Sequence, residues 1–465
     1  MKVAAGFLVG VLAWFIAPFW LQEGMFMDGM IYASVAQNLA QGVGTFWAPI
    51  YQPSAAAAYS EQLPLFTGME SLLFMLLGPT PWVERCFMAL AWIAAAWGMV
   101  ALHRKWWPER STESAIWVVA VWSSAPLIAW GMGNHVQEMW MAPFSLWAVV
   151  AMSHRSWAWL GGILTVATAL FKGPQGLFPL AWLPILACFG LCSATSFRYQ
   201  FTQVVLAVLG CAVLLVVWDD AFEALARNAS NRLVRTFTQE RAVTASNRAW
   251  LVGPLFGQLG SMLVAAALGL WLRARRIRFG GDVRAYAVLV LGLAASLPLT
   301  VTHEQRDFYL ITSLGFFAVG LVSLFREMPS ERRPRVQQIL WLVAVAGLVS
   351  LPLRQIQRDE VLRASLEAQA SDFPARTPFN VDPSLRLNHE LAAYAMRYRL
   401  WEVNLANTQQ HPNLVVPDSR SNGAVRFVVK SSRRTLPKNK KNQARRTWFG
   451  VWVAKGGIEP PTSGL

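Results

Sequence analysis

Eleven apolar stretches, each close to the length a helix needs to cross a bilayer, confine this chain to a polytopic helical membrane fold. A hydrocarbon core takes about 20 apolar residues wound as a helix. On that measure spans fall near 3–21, 83–102, 114–131, 135–152, 157–171, 175–192, 201–218, 253–272, 284–301, 308–325 and 336–353. Only 14% of the 465 residues are charged and 55% are hydrophobic, too little charge to cover a soluble protein of this length. The 23 Trp and 26 Phe suit two membrane interfaces, where amphipathic rings settle at headgroup level. No signal-peptide cleavage site follows Val3–Trp20, so that run is expected to be a retained first helix. Cys86, Cys188, Cys192 and Cys211 lack metal-ligand spacing. Cys188 and Cys192 are expected to be buried one turn apart on a single helix.

The net charge of +15 suggests a nucleic-acid partner, but its distribution argues for topology instead. Alternate loops contain His103-Arg104-Lys105, His154-Arg155, Arg198, Arg273 to Arg278 and Arg326 to Arg335. All fall on one side, which the positive-inside rule makes the cytoplasm, together with the N-terminus. The opposite face then receives segments 22–82 and 219–252, the turn His303–Asp307 and everything after about 354. The unequal outer segments argue for a reaction site on the outer face, and no nucleic-acid partner is expected. Two similar halves, as in repeat-built transporters, are not found. Neither a Walker A sequence nor a strand-Gly-x-Gly-x-x-Gly-helix unit occurs, which favours a lipid-linked donor over a soluble nucleotide sugar.

The chain divides into a transmembrane domain (1–353, including loop 22–82), a small segment 354–429 and a basic tail 430–465. In the first outer loop, Asp28 to Ala40 carries Ile31, Val35 and Leu39 at helical spacing, with Tyr32 and Ala36 beside them. Asp28 occupies the expected N-cap and Gly42 the expected stop of a helix lying on the membrane surface. A second short helix, Leu65–Leu77, follows Pro64 and carries Glu70. Residues 354–410 are expected to form a small helical piece with Leu391, Tyr394 and Tyr398 on one face. The tail after Lys430 is expected to be disordered and without a role.

The candidates for chemistry lie on the outer face. Asp28 could deprotonate a hydroxyl held within hydrogen-bond reach, although a plain helix cap is the commoner use of such an Asp. Lys172, Arg306 and Arg85 share one bilayer depth and together suit a lipid phosphate. Taken singly, Lys172 could snorkel to headgroups, and Arg306 could pair with Asp307 or Glu304. Glu138, near the outer end of a span, is costly there and so a functional candidate; pairing with His135 or a neighbouring Arg is the alternative.

Several segments together resemble bacterial membrane glycosyltransferases of the GT-C fold class, which includes protein O-mannosyltransferases and the lipid A aminoarabinose transferase. They are Met27-Asp28-Gly29-Met30-Ile31-Tyr32-Ala33, Asn38-Leu39-Ala40, Gly42 to Trp47 with Pro49, and Val83-Glu84-Arg85. Further along come Lys172-Gly173-Pro174, Gly176 to Pro179, the loop Arg241 to Arg248, and Gln305-Arg306 with Phe308-Tyr309-Leu310. The resemblance runs from residue 1 to about 400. It implies a multi-pass protein of the bacterial inner membrane and inverting transfer, on its periplasmic face, from a polyprenyl-phosphate sugar to a hydroxyl of a lipid, glycan or protein acceptor. Asp28 is then the general base and Glu138 a second acid; Lys172, Arg306, Arg85, His303 and Tyr309 line the substrate site. No cofactor is implied, and a divalent metal bridging acid and phosphate is compatible with the residues. Two departures stand out. Gly29 replaces the second acid of many relatives, and Glu61-Gln62-Leu63-Pro64 lacks their basic residue, leaving Glu61 as a substitute acid. A glycan flippase, a non-catalytic envelope scaffold and a glycan polymerase are the alternative readings.

Overall fold

The computed structural model describes residues 2–55, 57–233, 248–273, 280–302, 304–325, 334–354, 356–405, 413–417 and 425–429. The tail 430–465 lies outside the described residues. Chain contacts divide the protein into two compact units. One comprises Met1–Gln22, Phe46–Ala48 and Tyr59–Ile356; the other comprises Glu23–Thr45, Pro49–Ala58 and Gln357–Leu465.

The helices are α1 (Lys2–Trp20), α2 (Met27–Ala40), α3 (Leu65–Leu77), α4 (Trp82–Trp106), α5 (Thr112–Ser123), α6 (Pro126–Asn134), α7 (Glu138–Met152) and α8 (Ala158–Lys172). There follow α9 (Trp182–Cys188), α10 (Ala194–Val217), α11 (Asp219–Asn228), α12 (Val252–Arg273), α13 (Val283–Ser296), α14 (Ile311–Ser323) and α15 (Pro334–Val349). The last two are α16 (Glu360–Ala368) and α17 (His389–Arg399). Local chemistry fixes several starts: Ser111, Ser193 and Asp282 each accept a first-turn backbone N–H.

All eleven apolar stretches are mainly helical. By length and composition, five helices can cross a membrane, and α5 with α6 makes a sixth when counted as one span. That pair is bent by 69°, with Pro126 at the start of α6. The expected count of eleven spans is therefore not confirmed. Within the first unit α7 packs against α4, α8 and α14, while α1 packs against α5 and α15. Leu206, Val213, Leu214 and Val217 of α10 stay exposed, an apolar face suited to lipid tails. Cys188 closes α9 and is exposed, and Cys192 lies beyond the helix. The expected buried pair on one helix is thus corrected, because the chain turns at Gly190, whose φ is +66°.

In the second unit a four-stranded sheet is built from β1 (Pro378–Val381), β2 (Glu402–Asn404), β3 (Asn413–Pro417) and β4 (Val425–Val429), in the order β2-β1-β3-β4. The strand β1 runs parallel to β2 and β3, and β4 runs antiparallel to β3. Residues 354–410 are therefore not purely helical. Short strands join the expected helix α17, whose Leu391 and Tyr394 are buried with Tyr398 packed beside them. Phe379, Val381, Val403, Val415 and Phe427 extend this core, which also takes in Met30 of α2.

Two expectations for the first loop change here. The N-cap of α2 is Phe26, and Asp28 sits inside the first turn, where a carboxylate still faces the positive helix end. The helix stops as expected, with Gln41 as C-cap and Gly42 at φ +76°. Met30 and every residue from Tyr32 to Asn38 are buried, so α2 is a packed helix and not a surface one. Its stripe meets α17, and its polar face is buried too: Gln37 accepts from Arg397 (3.0 Å), and Asn38 donates to the carbonyls of Ile50 (3.0 Å) and Tyr51 (2.9 Å).

Candidate functional site

Helices α7 and α8 form an antiparallel hairpin about the turn at His154-Arg155. Glu138 and Lys172 each lie seventeen residues from Arg155, so the hairpin returns them to the same end. There the Lys172 ammonium pairs with Oε1 of Glu138, the two side chains being 8% and 1% exposed. The ammonium also lies 3.3 Å from the ring centroid of Tyr309 and 5.4 Å from that of Phe308. The cation is thus held by a carboxylate and an aromatic face, and it does not snorkel. Immediately after Lys172 the chain turns at Gly173, whose φ of +74° a side chain would strain. Gln175 then donates to the carbonyl of Tyr309 (3.2 Å), tying this turn to the segment that carries the ring.

The corner between α6 and α7, which delivers Glu138, is held from several sides. His135 adopts a left-handed backbone (φ +56°) and ends α6. Its Nε2 lies 2.9 Å from Oε1 of Glu70 on α3, with both side chains fully buried. The rings of Phe66 and Phe87 stand 5.0 and 5.8 Å from the imidazole. Arg85 donates to the carbonyls of Gly133 and Gln22, each at 2.7 Å, and Gln22 donates to Gly133 O (3.0 Å) and Asn134 Oδ1 (3.2 Å). Gln137 donates to Gln62 at 2.9 Å. A buried guanidinium and a buried Glu–His pair, both expensive to desolvate, thus converge on five residues of backbone.

The structure therefore brings Glu138, Lys172 and Tyr309 together. Arg85 is buried and engaged with backbone carbonyls. Arg306 is half-buried and has no side-chain partner among the described residues, so the alternative of pairing with Asp307 or Glu304 is not observed. Glu61 is exposed. Asp28 is half-buried on α2 and belongs to the second unit. His303 lies outside the described residues. Reading residues singly missed the Glu138–Lys172 and Glu70–His135 pairs. The equal spacing about Arg155 was the available signal for the first; no comparable spacing marks the second. Among the described residues, no group of three or more His, Cys, Asp or Glu side chains is arranged to hold a metal ion.

No family model matches the chain, and no curated protein matches it. Solved structures do. ArnT from Cupriavidus metallidurans in the apo state superposes with a TM-score of 0.63 at 12% identity, over 90% of this chain and 93% of that one. The same protein bound to undecaprenyl phosphate gives 0.61 at 14% identity, over 86% and 85%. Identity this low shows the fold, and the fold is that of the GT-C class, as the sequence resemblance implies.

Proposed function

We propose that this chain uses its GT-C scaffold as a membrane glycosyltransferase, moving a sugar from a polyprenyl-phosphate donor to a hydroxyl acceptor on the periplasmic face. The observation that carries this reading is the buried Lys172 ammonium, fixed by Glu138 and Tyr309 at the end of the α7–α8 hairpin. A cation kept at membrane depth at such desolvation cost needs an anionic purpose. An ammonium has three donors, so a carboxylate and a phosphate oxygen can be served together. ArnT, on the same fold, binds undecaprenyl phosphate.

In this reading Lys172 and Arg306 hold the donor phosphate, and Glu138 and Tyr309 keep the ammonium in place. Asp28, matched to the first-loop acid of the resembling enzymes, takes the proton of the acceptor hydroxyl. The acceptor oxygen bonds to the anomeric carbon as the bond from that carbon to the phosphate oxygen breaks, with inversion. Polyprenyl phosphate leaves as an anion, needing charge stabilisation and no proton. Fluorescent polyprenyl phosphate titrated into the protein in nanodiscs tests the phosphate site. Lys172→Ala should weaken binding at least tenfold, and Lys172→Arg should restore part of it. Unchanged affinity in Lys172→Ala would overturn the assignment.

A further inference from the structure

Within the second unit, four pieces of chain converge on one cavity of about 250 Å³: α2, the strap 51–52, the first turn of α17 and the end of β2. The strap is tied to β2 by backbone-directed bonds. Gln52 donates to the carbonyl of Val403 (3.1 Å), and the Ser54 N–H donates to the Glu402 carboxylate (2.6 Å). The cavity therefore opens beside the carboxyl end of β2, which runs parallel to β1 and follows it through α17. Crevices at the carboxyl ends of parallel strands are where α/β units place ligands.

Its lining has a definite chemistry. Gln52, His389 and Asn404 offer two amides and an imidazole, Tyr51 adds a phenol ring, and Ile31 and Leu405 are apolar. None of the lining residues carries a carboxylate, ammonium or guanidinium group. A phosphate, carboxylate or amine ligand would find no counter-charge here. Polar and apolar groups share the lining, which a ligand with both kinds of surface matches. The volume lies below the roughly 300–1,000 Å³ of sites for drug-sized ligands, which suits one ring. A neutral ring with an apolar face and a rim of hydroxyls meets all three conditions.

We propose that this cavity is a binding site for a single neutral sugar ring, the terminal residue of a glycan. Its lining shares no residue with the phosphate site proposed above, and it stands whether or not the chain transfers a sugar.

The test is saturation-transfer difference NMR on the full-length protein in nanodiscs. The probe is methyl β-D-glucopyranoside, whose blocked anomeric position imitates a glycan terminus. Cyclohexanol and glucose 6-phosphate serve as apolar and charged controls. The glycoside should receive saturation and the controls at most a fifth as much. His389→Ala is well suited because the side chain is exposed and the site opens a helix that Ala favours. It and Asn404→Ala should each weaken glycoside binding at least fivefold. Equal signals from cyclohexanol, a preference for the phosphorylated or free reducing sugar, or binding that survives both cavity substitutions would overturn the proposal.

Discussion

Glu138→Gln removes the carboxylate that faces the Lys172 ammonium while keeping the side chain's shape. With both groups almost fully buried, an effective dielectric of about 20 and a charge separation of about 4 Å give roughly 4 kcal/mol of attraction. The stack of Lys172 on Tyr309 survives the change and retains about 0.5–2 kcal/mol. The amide oxygen introduced at 138 still accepts from the ammonium, a bond worth about 1.5–3 kcal/mol, so a net loss of about 1–3 kcal/mol follows, below the ~3–5 kcal/mol typical of a fully orphaned buried charge. Lys172→Met leaves the opposite charge stranded and should cost a similar amount. In Glu138→Gln/Lys172→Met no charge is stranded, so the double variant should be more stable than the summed single losses by about 2 kcal/mol. Reversible unfolding by SDS titration in mixed micelles measures all four corners of this cycle. Single losses that add to within about 0.5 kcal/mol would show that the two side chains act independently, and the buried pair would then not be the unit described.

Arg85→Met should remove two charge-assisted bonds to Gly133 and Gln22 and cost about 2–4 kcal/mol by the same titration; a loss under 1 kcal/mol would contradict its role in holding the α6–α7 corner. Tyr394 has its hydroxyl 2.7 Å from the Asp359 carboxylate and within bonding distance of the Met25 backbone, so Tyr394→Phe should destabilise the second unit by about 1–3 kcal/mol, read from amide exchange in α17. Burial pushes the Asp282 carboxyl up, but the hydrogen bonds from Arg284 and Trp107 outweigh it and hold the group below its usual range; Glu109 is lowered in the same way by Arg284. Folded values below unfolded ones mean that this stability is present above about pH 4 and is lost as pH falls through the depressed values. Arg284→Met should therefore flatten the acid limb of a stability–pH curve between about pH 5 and 2, and an unaltered limb would refute the linkage.

The membrane elements were legible in the sequence because long apolar runs leave few alternatives to helix. Leu65–Leu77 was bounded to the residue by Pro64 on one side and Gly78 on the other. The bend after α5 was harder to read, since Pro126 falls inside a continuous apolar run. The sheet of the second unit escaped notice because its strands are three to five residues long and β1 pairs in parallel with β2 and β3 across intervening helix and loop. Such short segments carry too little periodicity to be separated from helix or coil. Asp28 looked like a cap because Asp favours caps, yet Phe26 takes that place two residues earlier than side-chain preference predicts. At the site, residue types and sidedness singled out Glu138 and Lys172 individually. Their pairing, and the stacking of Lys172 on Tyr309, required the packing of α7, α8 and the segment before α14.

Transfer itself gives the most direct test. Membranes containing the wild-type chain, supplied with a labelled polyprenyl-phosphate sugar and the native envelope acceptors, should release polyprenyl phosphate and place label on a hydroxyl acceptor. If Asp28 is the general base, Asp28→Asn should lower turnover by about 10²–10⁴-fold while leaving polyprenyl-phosphate binding intact. Turnover by Asp28→Asn at the wild-type rate would contradict the account.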